Sequence, residues 1–255
     1  MSIARLLICL TIFVSGYATA REPILVPDVS QRKIEIAYSF TGAELLLFGA
    51  IVYPDGEIPS GKTDIAVVLK GPSRSVQVRE KQKLFGLIWY NAAGEQFRSA
   101  PDYYAIATSR PLQQMVDENT AAIYELGFEN IQLSPSGDSK VSTQRRFESG
   151  LVQLKKNSQL YSSRYNSIEI TKGVLYRARL AIPARVSVGQ YTAETFLIRN
   201  GNVIAAATRT IEIKKSGFEQ FVATSAENSP VLYGIVAIML ALLLGWSAGE
   251  IFRKI

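Results

Sequence analysis

The sequence predicts a mainly β protein: one or two immunoglobulin-like β-sandwich domains with a helical insert, followed by one C-terminal transmembrane helix. Three observations predict it. Short runs rich in β-branched and aromatic residues recur about every ten positions between turn residues. A stretch with helical spacing of apolar residues interrupts them in mid-chain. Near the end, Val231 to Gly249 carries no charge, and as a helix it would measure about 28 Å, close to the thickness of a bilayer core.

The N-terminus opens with a single cation, Arg5, then the apolar stretch Leu6 to Val14 and the small-residue site Ala18-Thr19-Ala20. That order is expected of a signal peptide over residues 1–20. Cys9, the only cysteine, falls inside it, and the chain has no histidine. A mature protein lacking both residues has no disulfide, no thiol nucleophile, no Cys/His zinc site and no Ser-His-Asp triad. The formal net charge of +6 is spread along the chain without a basic run, so no nucleic-acid footprint is expected.

Residues 21–108 are expected to form a β-sandwich region. Its strands are read at Lys33 to Phe40, Glu44 to Tyr53, Thr63 to Lys70, Ser75 to Gln82, Phe85 to Asn91 and Tyr103 to Thr108, with turns at Pro54-Asp55-Gly56, Gly71-Pro72-Ser73 and Ala92-Ala93-Gly94. Residues 109–165 are expected to be helical. Pro111 sits at a helix start, Leu112, Met115 or Val116, Ile123 and Leu126 recur on one side, and Gly127 ends the segment. A second helix is to place Phe147, Leu151, Leu154 and Tyr161 on one face and Arg145, Arg146, Lys155 and Lys156 elsewhere.

Strands return over 166–215, at Ser167 to Thr171, Val174 to Ile182, Gln190 to Arg199 and Val203 to Lys214, with Asn200-Gly201-Asn202 as a hairpin turn. Whether the two strand-rich regions form one sandwich or two is left open by the sequence. A juxtamembrane linker over 216–229 leads to the span at 230–252 and a cytoplasmic tail at 253–255. Tyr233 and Trp246 suit the two interfaces, and Arg253 and Lys254 follow the span. An exported N-terminus and a basic tail together place the body in the periplasm and the C-terminus in the cytoplasm, with the inner membrane between. Within the span, Gly234, Ala237, Ala241, Gly245 and Ala248 share one stripe, with Gly249 beside it. Small stripes let helices approach closely in lipid, so an interface with a second transmembrane helix is one expectation; alanine- and glycine-rich spans are also common without one.

Several stretches resemble a family of alphaproteobacterial transmembrane proteins, Alph_Pro_TM. They are Leu46-Leu47-Phe48-Gly49-Ala50, Asp64-Ile65-Ala66-Val67-Val68, Trp89-Tyr90-Asn91, Tyr103 to Leu112 and Leu232-Tyr233-Gly234. The resemblance covers nearly the whole mature chain and brings no agreed catalytic residues. Members are often encoded beside a TauE/SafE-type sulfite exporter, so it implies a periplasmic partner of such a transporter.

The best candidate for chemistry is Thr108-Ser109-Arg110 before Pro111. A helix start offers free N–H groups, and Arg110 could grip an oxyanion such as sulfite. The plainer alternative has Thr108 or Ser109 capping the helix and Arg110 in a surface pair. Trp89, Tyr90, Tyr103 and Tyr104 could line a pocket, but aromatic pairs on strands more often fill a core. The basic residues of the second helix could meet anionic headgroups; an ordinary solvated face is the simpler account. The Ser30/Lys33 spacing falls at a strand entry, and Asp117 and Glu118 are adjacent and point apart, so neither reads as catalytic. The expected function is therefore a non-enzymatic, membrane-anchored accessory protein without cofactor or metal. A stand-alone periplasmic solute-binding module is one alternative, and an envelope hydrolase using carboxylates gathered only by folding is another.

Overall fold

A computed structural model describes residues 22–36, 40–54, 56, 58, 61–137 and 139–253. The expected signal peptide, with Cys9, lies outside the described residues, as does Lys254. In chain order the elements are β1 (Ile24–Val29), β2 (Lys33–Ile36), β3 (Gly42–Val52), β4 (Thr63–Lys70), β5 (Ser73–Leu84), β6 (Ile88–Pro101), β7 (Tyr104–Thr108), α1 (Glu118–Ile123), β8 (Ser134–Pro135), α2 (Val141–Asn157), β9 (Tyr161–Arg164), β10 (Ile168–Thr171), β11 (Leu175–Pro183), β12 (Gly189–Arg199), β13 (Asn202–Lys215), α3 (Phe218–Asn228) and α4 (Pro230–Arg253).

Strict alternation makes the first sheet. Along β11, Tyr176, Ala178, Leu180 and Ile182 are buried while Arg177 and Arg179 face outward, as a strand with one wet face requires. Its strand order is β1-β3-β11-β10. The second sheet, β2-β13-β12-β4-β7-β9, packs on it. Leu45, Leu47, Ile51 and Leu180 from one sheet share a core with Ile65, Val67, Leu69, Leu197 and Ile211 from the other. Each such side chain removed from water contributes about 1.5–3 kcal/mol.

β4 and β7 do not alternate, because both of their faces are covered. Ala66, Val68, Tyr104, Ile106 and Phe196 form a second core on the outer face of the second sheet, under Leu112, Met115 and Leu126 of the helical insert. That is why Ile65-Ala66-Val67-Val68-Leu69 reads as one apolar run. A third, smaller core joins Val78 and Phe97 of the β5–β6 hairpin to Phe147 and Leu151 of α2.

The two strand-rich stretches share both sheets. β3 pairs with β11, β4 with β12, and β2 runs parallel to β13, so the interrupted-sandwich alternative is the one seen. The architecture is mainly β with one C-terminal apolar helix.

Individual elements depart from expectation for identifiable reasons. β1 is not expected from the sequence because Pro27 interrupts its pattern; it is an edge strand, where a missing N–H costs nothing. Pro27 lies opposite Gly49, where an added Cβ would sit 2.8 Å from the Pro27 Cα. The expected turn at Ala92-Ala93-Gly94 is instead the interior of β6: Glu80 pairs with Ala93 and Lys81 with Asn91, so the small residues mark a bulge. The turn falls at Phe85-Gly86, both with positive φ (49° and 73°). Only a 3-10 turn, Leu112–Gln114, follows Pro111. Ile123 is 71% exposed, not on the buried side, and Leu154 is 56% exposed. Tyr161 belongs to β9 rather than to the helix, its hydroxyl donating to the Pro101 carbonyl at 2.7 Å. Lys33 to Phe40 is strand only through Ile36, with 37–39 outside the described residues. Segment 216–229 contains α3. The turn at Asn200-Gly201 stands as expected, with φ of 50° and 85°.

α4 is one continuous helix, and Pro230–Gly249 within it is long and apolar enough to cross a membrane, with none of it buried in the body.

Candidate functional site

Strand register creates the first cluster. β4 and β7 are antiparallel with Ala66 opposite Thr108, which sets Asp64 opposite Arg110 just past the strand end. Arg110 Nε donates to Asp64 Oδ1 at 2.8 Å, and its Nη2 pairs with Oδ2. Ser109 Oγ also donates to Asp64 Oδ1 at 2.9 Å and accepts from the Ile65 N–H at 3.1 Å. Burial pushes the Asp64 carboxyl up, but the hydrogen bonds from Arg110 and Ser109 outweigh it and leave the group below its ordinary value.

The cluster forms one wall of an open cavity of about 560 Å³ lined also by Lys62, Gln114, Asp117 and Asn200. Of the three residues expected to hold an anion, Arg110 lines this cavity with its fork engaged by Asp64, Ser109 braces the pair, and Thr108 is fully buried. Neither hydroxyl caps a helix here. The cap on α1 comes instead from Asp117, whose Oδ1 accepts from the Thr120 N–H at 2.7 Å.

Two further ionic clusters lie among the described residues. Lys70 bridges Glu125 at 2.8 Å and Glu194 at 3.1 Å, tying β4 and β12 to the helical insert. Burial lowers its ammonium pKa, but Glu125 and Glu194 outweigh that and raise it. Asp102, at the root of the β5–β6 hairpin, meets Arg74 at 2.9 Å, Ser187 at 2.9 Å and Lys155 at 3.5 Å. The basic residues of α2 are thus partly engaged by the body: Lys155 with Asp102 in a largely buried pair, and Arg146 with Glu80 at 3.0 Å on the surface. Lys156 lies 5.1 Å over the Phe128 ring. The sequence held signals for all three clusters, a charge at or near the end of an apolar strand, but not the register that pairs them.

The four aromatics separate. Tyr103 and Tyr104 are buried on opposite faces of the second sheet, as successive strand residues must be. Tyr103 OH donates to Ala181 O at 2.6 Å across the sandwich; Tyr104 OH donates to Glu125 O at 2.8 Å and accepts from Gly127 N at 2.9 Å. Burial raises both phenol pKa values. Trp89 and Tyr90, expected in a core, are exposed on the hairpin instead, because no element among the described residues covers that part of β6. Ser30 Oγ accepts from the Leu46 N–H, while Lys33 pairs with Glu35, so the two side chains are separately engaged.

On α4, a Cβ added at Gly234, Gly245 or Gly249 would meet nothing within 4 Å. Together with Ala237, Ala241 and Ala248, these glycines form a small-residue stripe that nothing among the described residues covers.

Comparison with curated proteins gives no match, and comparison with solved structures gives none. A family model described as "Putative transmembrane protein (Alph_Pro_TM)" matches residues 24–254. That match spans the sandwich, the helical insert, the hairpin and the apolar helix together, and the chain belongs to the Alph_Pro_TM family, a membrane-anchored protein with one candidate span among the described residues.

Proposed function

We propose that this protein is a non-enzymatic accessory subunit of an integral-membrane partner. It is held in the inner membrane by α4, with its β-rich body in the periplasm and its C-terminus in the cytoplasm. The observation that carries the reading is α4 itself, a bilayer-length helix with none of its span buried in the body and an open small-residue stripe. Such a stripe suits close packing against another helix in lipid. A sulfur-oxyanion exporter of TauE/SafE type is the first partner to test, on the gene context that the family resemblance implies. The carboxylates Asp64, Asp102, Glu125 and Glu194 all bind cations internally, which supports a structural rather than an acid–base role for them.

Co-purification from detergent tests this. The exporter should be retained by the native chain and lost when Gly234, Ala241 and Gly245 are changed to Leu. Retention by that variant, or full activity in cells of a chain lacking α4, would overturn it. Protease added outside spheroplasts should digest the body; a protected body would reverse the proposed orientation.

The cavity beside Asp64 and Arg110 favours a second reading, a periplasmic solute-binding module. Sulfite should then raise the melting temperature of the native chain and leave Arg110→Ala unmoved. An equal shift in both proteins would end it.

A further inference from the structure

The β5–β6 hairpin ends in a surface that the fold does not explain. From Lys81 to Ala92 every residue is exposed, although the strands stay paired to Leu84 and Ile88. Among the described residues, the last support from the rest of the molecule is the ion pair of Glu80 with Arg146. Beyond it the hairpin continues for about five residues, roughly 17 Å. At its end Leu84, Phe85, Leu87, Ile88, Trp89 and Tyr90 stand in solvent, Phe85 at 90%, Leu87 at 84% and Trp89 at 62% exposure. Solvent does not select such a tip.

The backbone does not select it either. Phe85 has φ 49°, a left-handed conformation that a bulky side chain adopts only at a cost and that Asn or Gly adopts readily. An aromatic ring is therefore held at the apex against both local preference and solubility.

The chemistry is graded along the hairpin. Aliphatic residues and Phe occupy the apex, Trp89 and Tyr90 lie behind them, and Lys81 and Lys83 lie on the facing strand, Lys83 Nζ 5.0 Å over the Trp89 ring. No carboxylate pairs with either lysine among the described residues. Apolar tip, Trp and Tyr collar and basic flank are the order in which a bilayer interface is layered, from acyl chains through the glycerol region to anionic headgroups.

Topology roots the hairpin and the anchor at the same end of the second sheet. β4 and β13 are both antiparallel to β12, so they run the same way and end at the same end of the second sheet. β4 leads from there through Gly71 and Pro72 into the hairpin, and β13 leads through α3 into α4.

We propose that the tip of the β5–β6 hairpin inserts into the interface of the bilayer that α4 crosses, giving the body a second, non-covalent foothold on lipid. The proposal rests on α4 being a true span, so the test separates the two. The full chain carrying Trp246→Phe, which leaves Trp89 as its sole tryptophan, is reconstituted into phosphatidylethanolamine/phosphatidylglycerol vesicles. Carbonate-resistant flotation with the vesicles reports α4 alone. Trp89 emission should fall about twofold when the acyl chains carry bromine, as expected for a ring at interfacial depth, and should be screened from aqueous iodide. Adding Phe85→Ser and Leu87→Ser should abolish the bromine effect with flotation intact. Exchanging phosphatidylglycerol for phosphatidylcholine should weaken it. A Trp89 open to iodide and indifferent to bromine in floated, folded protein overturns the proposal. So does a Trp89 shielded from both, which would mean that a protein surface covers the tip.

Discussion

Two hairpins in this molecule turn on the same backbone device and present opposite surfaces. At the β12–β13 end, Asn200 and Gly201 supply positive φ with residues that adopt it cheaply. At the β5–β6 end, Phe85 and Gly86 do so with an aromatic ring in solvent. The first hairpin is embedded: β12 lies between β13 and β4, and its turn lies beside the Asp64–Arg110 pair on the same cavity wall. The second is anchored only near its root, through the small core with α2. What turn geometry requires is met in both, so the apolar surplus at Phe85 must answer to something outside the body.

Mutations can break or sharpen that contrast, with unfolding followed by urea titration of the full chain in detergent. Leu197→Ala, in the embedded hairpin with no exposed surface, should cost about 3 kcal/mol through lost transfer energy and a cavity. A loss under about 1 kcal/mol would mean the seam between β12 and β4 is not tightly packed. Arg110→Ala, beside the embedded turn, should cost about 2 kcal/mol, because Asp64 keeps its burial and loses its main partner.

That pair also predicts a pH dependence. The Asp64 carboxyl is depressed in the fold, so its contribution is full above the ordinary value of 3.8 and is lost as pH falls through the lower native value. The native-minus-variant stability difference should shrink in that acid window; a difference flat with pH would remove Asp64 as its source. Gly201→Ala should cost about 1 kcal/mol from strain alone, since its Cβ would meet nothing within 4 Å. Smallest and opposite in sign, Phe85→Asn should stabilise by about 0.5 kcal/mol, measured in micelles too small to receive the tip. A clear destabilisation would show that the ring packs on the body after all.

Much of the fold was legible because the signals are local. β4, β10, β11, β12 and β13, the turn at Asn200-Gly201 and the apolar helix all announce themselves by alternation, turn residues or length. Errors came where a tertiary neighbour overrides a local pattern. Pro27 hides an edge strand, Ala92 to Gly94 mimic a turn but absorb a bulge, and Ile123 keeps helical spacing while facing water. The Asp64–Arg110 pair was half visible, since both residues sit at the ends of strands that the sequence marks. Only the register, which no single strand carries, joins them. Trp89 and Tyr90 were misplaced for a related reason: aromatic content marks a strand but not whether anything comes to cover it.

The seams of the two sheets bear on how the chain is made. β3 waits for β11 and β4 for β12, partners that lie more than a hundred positions later. During synthesis the first half must persist with raw apolar edges until residue 215 or so is released, and the oily terminal helix follows almost at once. Closure of the body and arrival of the anchor are therefore nearly simultaneous events, in a topology whose distant pairings make folding slow.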